Sequence, residues 1–259
     1  MSNIAVCYKW VWDDADIRIN PQSRQLDFSK AVRKISEYDR NVLEAGVQLK
    51  TILGGAGQIF GITCGMDADA SAKDALSRGA DSVLLVSDKA LEDADSQLNA
   101  KVLAALVKGA DDVKVVLCGE GSSDEYAQQT GARLAALLDW PVVSNVNKIA
   151  LNSDKLILVC KMEEGEEVVE AALPLVINVL PEIFEAPIPG FKQIMGAKKK
   201  PVQAKSLAEL GIEINSPLTI VSVLAPDNPR QGLRLNPEGV SLAEAARQLV
   251  KELLAQGVA

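Results

Sequence analysis

Through its first 140 residues this chain alternates short aliphatic runs with stretches of helical character. Asn3 to Lys9, Gln58 to Cys64, Ser82 to Val86 and Val113 to Cys118 read as strands of branched and small residues. Between them, Arg40 to Lys50, Asp69 to Ser77 and Asp95 to Gly109 read as helices. Asp39 is the expected N-cap of the first, and Gly79 and Gly109 are stops for the others. Such alternation predicts a mostly parallel sheet with right-handed crossovers, helices on its faces and any ligand beyond the carboxyl ends of the strands. Aromatic residues make up only 4% of the chain, and the aliphatic bias suits strands covered on both faces.

The fourth run leads into Cys118-Gly119-Glu120-Gly121-Ser122-Ser123-Asp124-Glu125-Tyr126-Ala127-Gln128-Gln129-Thr130-Gly131, and a helix is expected from Tyr126 to Leu138. A strand, a glycine-bearing polar loop and a helix start form the usual geometry for holding a phosphate. The first N–H groups of a helix lack intrahelical partners and the helix dipole favours an anion there. The loop matches neither G-x-G-x-x-G nor a lysine-bearing phosphate loop. Two readings stay open at this point: a nucleotide or phosphate ligand, or a polar connection whose Asp and Ser residues only cap the helix.

Histidine is absent, which removes His-based triads, histidine general bases and most catalytic metal sites together. The four cysteines, Cys7, Cys64, Cys118 and Cys160, show no close pairing, which argues against a zinc site or a disulfide framework and fits a reducing cytoplasm. Cys7, Cys64 and Cys118 fall at or near expected strand ends, where cysteine also packs as a small hydrophobe. The net charge of −8 and the lack of a basic stripe with interleaved aromatics exclude nucleic acid as an expected partner. No apolar segment approaches the roughly 20 residues of a membrane span.

Beyond residue 140 the pattern changes. Val142 to Ile149, Lys155 to Met162 and Glu167 to Ala172 alternate weakly and read as antiparallel, with Gly165 in a hairpin turn. Leu173 to Leu180 is a strongly apolar strand. After Pro181 come Pro187, Pro189, Gly190, Lys198-Lys199-Lys200 and Pro201, a stretch unsuited to a core of its own. Leu218 to Leu224 is an expected strand. Ser241 and Glu244 form the capping signature of an amphipathic helix over Ser241 to Leu254. The organisation expected is a nucleotide-binding α/β domain with antiparallel hairpin additions over 1–182, and an extended arm that embraces a partner, with a C-terminal helix, over 183–259.

Four ordered segments resemble the beta subunit of electron-transfer flavoproteins over nearly the whole chain. They are Val6-Cys7-Tyr8-Lys9 with Ile17-Arg18-Ile19-Asn20; Ile35-Ser36-Glu37-Tyr38-Asp39-Arg40-Asn41, similar to the nitrogen-fixation and carnitine-associated branch; Gln129-Thr130-Gly131 with Leu138-Asp139-Trp140-Pro141; and Phe191 to Lys200. The resemblance implies a Rossmann-like sheet of the adenine-nucleotide-hydrolase type. It also implies pairing with an FAD-carrying alpha subunit and electron traffic between a flavin dehydrogenase of the acyl-CoA type and another redox partner. The chain itself is then expected to hold AMP or a second FAD, as in electron-bifurcating members. Thr130 resembles the AMP type, whereas the segment about Asp39 resembles the other.

Carried over by position, Cys7 and Cys64 flank the adenine. Gly119, Glu120, Gly121 and Asp124 shape the pocket, and Ala127, Gln128, Gln129 and Thr130 meet the phosphates. Phe191 is the expected anchor in a dehydrogenase partner. Cys160 stands where a basic residue is common in the family pattern, and Asn178 where a smaller one is. The competing expectations are a stand-alone adenine-nucleotide-binding signalling or stress module forming homodimers, and an enzyme built on Cys118 or Asp124.

Overall fold

The computed structural model describes residues 2–215, 218, 220–227, 232 and 239–257. In chain order the elements are β1 (Asn3–Cys7), β2 (Trp10–Trp12), β3 (Arg18–Ile19), β4 (Leu26–Asp27), β5 (Arg33–Ile35), α1 (Glu37–Ile52), β6 (Ile59–Gly65), α2 (Ala72–Ser77), β7 (Ser82–Ser87), α3 (Ser96–Gly109), β8 (Val113–Gly119), α4 (Thr130–Leu138), β9 (Val142–Asn152), β10 (Lys155–Met162), β11 (Gly165–Ala171), β12 (Leu175–Val179), α5 (Phe191–Ala197), β13 (Val202–Ala204) and α6 (Leu242–Ala255).

Nine strands form one sheet in the order β11-β10-β9-β12-β8-β1-β6-β7-β13. Every pairing from β9 through β12 to β13 is parallel. β10 pairs antiparallel with β9 and with β11, so a hairpin extends the parallel sheet at one end. This is the expected α/β architecture. A small antiparallel hairpin, β3 with β4, stands apart from this sheet.

The period-2 alternation of the strands sorts their side chains into two aliphatic layers. Ile4, Val6, Val115, Leu117, Leu175 and Ile177 pack with Val42, Leu43 and Leu49 of α1 and Ala75 and Leu76 of α2. Ala5, Ile62, Val86, Val116 and Val176 pack on the other face with Leu98, Val102 and Leu106 of α3 and Leu134 of α4. Each such buried aliphatic side chain contributes about 1.5–3 kcal/mol, and the two layers hold the strand ends in register.

The segment after residue 183 does not lie wholly apart from the sheet. α5 packs on α2, with Ala197 in the core. The Lys200 ammonium donates to Leu76 O at 3.0 Å and Ala80 O at 2.6 Å. β13 then extends the sheet beside β7, and Leu207 enters the second aliphatic layer. Farther on, the Ala225 N–H donates to Arg24 O at 2.9 Å, which lays the arm against the β3–β4 hairpin. α6 starts with Ser241 accepting from the Glu244 N–H, and none of its residues is buried.

Three local expectations are corrected. Ser36, not Asp39, flanks the start of α1, and Asp39 lies buried within its first turn. α4 starts at Thr130 rather than Tyr126, because Tyr126 and Gln128 adopt left-handed backbone angles, φ 47° and 55°, that a right-handed helix does not admit. Residues 218 and 220–224 are not in a strand; Thr219, within the expected strand, lies outside the described residues. Among the described residues no helix is long and apolar enough to cross a membrane.

Candidate functional site

From β1 the chain adds β6 and β7 on one side of the sheet, then returns to place β8 on the other side of β1. Helices α1 and α2 cover one face and α3 the other, so neighbouring connections diverge at the β1–β8 pair. A crevice beyond the carboxyl ends of the strands is the geometric consequence. Here it is a cleft with about 680 Å³ of open space, lined by Cys7, Cys64, Cys118 and Gly119 from the strand ends, Asp39 from α1, Ser96 and Asn99 from α3, and the loop preceding α4.

The loop is folded by contacts to distant residues. The Glu120 N–H donates to Val179 O at 3.1 Å, and the Ser123 N–H donates to Ser36 Oγ at 3.2 Å. Tyr126 donates its hydroxyl to Glu120, and its ring lies 5.4 Å from that of Tyr38. A Cβ on Gly121 would come within 2.4 Å of the Tyr126 ring, so only glycine lets the loop fold back this tightly. Gln129, which flanks α4, makes no cap bond with its side chain. Its amide oxygen accepts instead from Arg133 at 2.8 Å and from Ser96 at 3.1 Å. The first N–H groups of α4 are therefore not capped by the preceding side chain and border the cleft at Thr130, the arrangement that accepts an anion.

Lys9 ties this loop to the sheet. Its ammonium binds Asp124 at 2.8 Å and Glu125 at 3.1 Å. Its backbone N–H donates to Asp39 Oδ2 at 2.8 Å, and its carbonyl accepts from the Ser36 N–H at 3.0 Å. Burial pulls against both charges of the Lys9–Asp124 pair, but their attraction prevails: Asp124 stays below the usual carboxyl range and Lys9 above the usual ammonium range. Asp39 has no such compensation. Burial pushes its carboxyl to about 7, offset only in part by the N–H and charge of Lys9 and reinforced by Asp124.

Two of the thiols at the strand ends, Cys7 and Cys64, are held in the neutral form. A bond to Cys118, together with burial, pushes Cys7 up, and burial takes Cys64 to about 12. Neutral thiols are poor nucleophiles, which speaks against covalent chemistry at Cys7 and Cys64. Among the described residues no cluster of three or more His, Cys, Asp or Glu could hold a metal ion.

Nine of the ten residues expected at a cofactor (Cys7, Cys64, Gly119, Glu120, Gly121, Ala127, Gln128, Gln129 and Thr130) line this one cleft. Asp124 stands behind them as the partner of Lys9 and lines an adjoining open cleft. That second cleft shares Lys9, Cys64, Asn99 and Glu125 with the first and is walled by Trp10, Trp12 and Phe28. Arg33 lies 4.1 Å over the Trp12 ring at its side. Phe191 belongs to neither cleft: it opens α5 and is 78% exposed.

Sequence reasoning missed Lys9, Asp39, Ser96 and Asn99 as cleft residues. For Lys9 a signal was present, since it directly follows the end of the first strand. For Ser96 and Asn99, on the face of α3 toward the strand ends, no local signal exists.

A model of the Electron transfer flavoprotein domain matches residues 25–210. The match runs from the β3–β4 hairpin through the cleft loop, the antiparallel hairpin and α5 to the segment after β13. It covers well over half of the chain together with most of the cleft, and the chain therefore belongs to the electron transfer flavoprotein family.

Proposed function

We propose that the chain is the beta subunit of a heterodimeric electron-transfer flavoprotein, pairs with an FAD-carrying alpha subunit, and binds an adenine nucleotide in the cleft at the β1–β8 strand ends. The observation that carries the reading is the start of α4, which has no side-chain cap and borders that cleft at Thr130, where the first backbone N–H groups of a helix can meet phosphate. AMP fits a role confined to the first cleft. The adjoining cleft, continuous with it through Lys9 and Cys64, favours a second FAD, because Trp10, Trp12 and Phe28 among its polar and charged walls offer ring surfaces beyond an adenylate. In either case electron transfer is the chemistry of the bound flavin. The residues of this chain orient the nucleotide.

The pairing rests on exposed apolar surface. Ile188 is 93% exposed and Phe191 78%, and Leu249, Val250, Leu253 and Leu254 of α6 are also exposed. Rows of this kind on an arm and a terminal helix are what a subunit interface covers. Phe191 is the anchor we assign to a flavin dehydrogenase, since exposed aromatic residues dominate interface energetics.

The test is co-expression with the presumed alpha subunit and release of bound nucleotides by denaturation. Two FAD per heterodimer identify the second-flavin form, and one FAD with one AMP identifies the simple carrier. A complex holding only one FAD and no other nucleotide would remove the proposed site from this chain. A stable homodimer that binds nucleotide without any second gene product would favour a stand-alone module instead.

A further inference from the structure

Asp39 sits where the first turn of α1 meets the ends of β1 and β8, 5% exposed and lining the cleft. One oxygen, Oδ2, accepts the Lys9 N–H. The other, Oδ1, faces Gly119 so closely that a Cβ there would approach it at 3.0 Å. The groups around it are predominantly acidic or neutral. β1 brings the Cys7 thiol and the segment after it Lys9, β8 brings the Cys118 thiol, and the loop brings Glu120, Asp124 and Glu125. Glu37 and Arg40 flank it on its own helix. The one ammonium in this set, on Lys9, is already bound by Asp124 and Glu125. A nucleotide entering the cleft would add phosphate charge at the start of α4 and cover Asp39 further, and both changes favour the uncharged acid.

We propose that Asp39 is a proton-accepting residue of the nucleotide cleft, neutral in the bound state, so that binding of an adenine nucleotide takes up a proton from solvent. The step is a protonation of one carboxylate oxygen; no other bond changes. The protonated carboxyl still accepts the Lys9 N–H through its second oxygen and gains an O–H that can donate toward the ligand. The inference rests on the nucleotide reading above. It adds that affinity is linked to pH through a residue outside the phosphate-binding loop. Burial already pushes this carboxyl up to about 7.

The experiment is titration calorimetry with AMP on the nucleotide-freed full chain, or on the complex in which it purifies. It is run from pH 7 to 8.5 in buffers of differing ionisation heat. A phosphate monoester loses its last proton near pH 6, so AMP itself contributes little in this window. The expected result is uptake approaching one proton per AMP bound at the upper end of the window, with affinity weakening by up to about tenfold per pH unit. Asp39→Asn should abolish the uptake and flatten the pH dependence of whatever AMP affinity it retains. No uptake by the unmodified chain, or uptake that persists in Asp39→Asn, would overturn the inference and leave the nucleotide site standing. Failure to bind AMP or FAD at any pH would remove the nucleotide reading and this inference with it. Should Asp39→Asn not fold, the proton count on the unmodified chain decides alone.

Discussion

Gly131→Ala tests the packing that aims α4 at the cleft. Gly131 is the second residue of α4 and its φ is not in the left-handed region, so alanine meets no backbone obstacle there. On helix propensity alone the change should stabilise by about 1 kcal/mol. Sterically it cannot: the new Cβ would lie 1.8 Å from Asn178 Oδ1 and 2.7 Å from its Cγ. Asn178 is 8% exposed on β12 and donates to Ser144 Oγ at 2.9 Å. Clearing the new methyl demands a retreat of roughly 1 Å into packed surroundings, an overpacking cost of about 1–3 kcal/mol. Breaking the Ser144 bond adds about 1 kcal/mol. The net expectation is a loss of about 1–3 kcal/mol, read as a lower urea midpoint and as a Tm lowered by about 2–4 °C per kcal/mol. Asn178→Ser alone should cost about 1 kcal/mol through the lost bond. The double variant should be no less stable than Asn178→Ser, which gives a coupling of at least about 1 kcal/mol. Wild-type stability in Gly131→Ala, or additivity in the double variant, would refute the claim that Asn178 dictates glycine at 131.

Asp39→Asn should also change the pH dependence of stability. With a folded value of about 7 against about 3.9 unfolded, the native state holds a proton that the unfolded chain lacks between those values. Wild-type stability therefore falls as pH rises through that window, and urea melts should show the Asp39→Asn variant gaining on it by up to about 4 kcal/mol between pH 4 and 7.5. Lys200→Met removes the donor to Leu76 O and Ala80 O. A loss of about 1–3 kcal/mol is expected, with faster hydrogen exchange at Val83, whose N–H donates to Pro201 O. Phe191→Asp should leave the urea midpoint unchanged within about 0.5 kcal/mol, because the side chain is exposed. On the anchor role proposed for Phe191, reduction of the flavoprotein complex by a flavin dehydrogenase should fall at least about tenfold in the same variant.

The sheet was legible in the sequence because its information is local. β6, β7 and β8 are aliphatic runs bounded by glycine, serine or aspartate, and a run buried on both faces reads the same in any fold of this class. The cleft residues were legible for a related reason: a parallel sheet places ligands at strand ends, and Cys7, Cys64 and Cys118 mark three of them. The role of β13 was not legible. Val202 to Ala204 is three exposed residues with no strand pattern of its own, and it becomes a strand because Lys200 anchors the preceding turn to α2 and the β7 edge is free to pair.

The errors at the site share one cause. Asp39 looks like an N-cap by position, and Tyr126 looks like a helix start by composition, because capping and propensity are local rules. In the fold both are overruled by partners far away in sequence. Asp39 turns from its own helix to the Lys9 N–H, thirty residues earlier. The loop at Ser123 to Glu125 is held by Ser36 and Lys9, which leaves Tyr126 and Gln128 to take left-handed angles on the way to Thr130. Such angles in residues other than glycine cost on the order of 1–3 kcal/mol each and persist only where surrounding contacts over-determine them. Here those contacts converge on Lys9. Its ammonium fixes the loop and its N–H fixes the buried acid, so loop conformation and the proton on Asp39 are coupled through one residue. On the proposal above, a nucleotide that engaged the loop would act on Asp39 through Lys9 as well as by covering it directly.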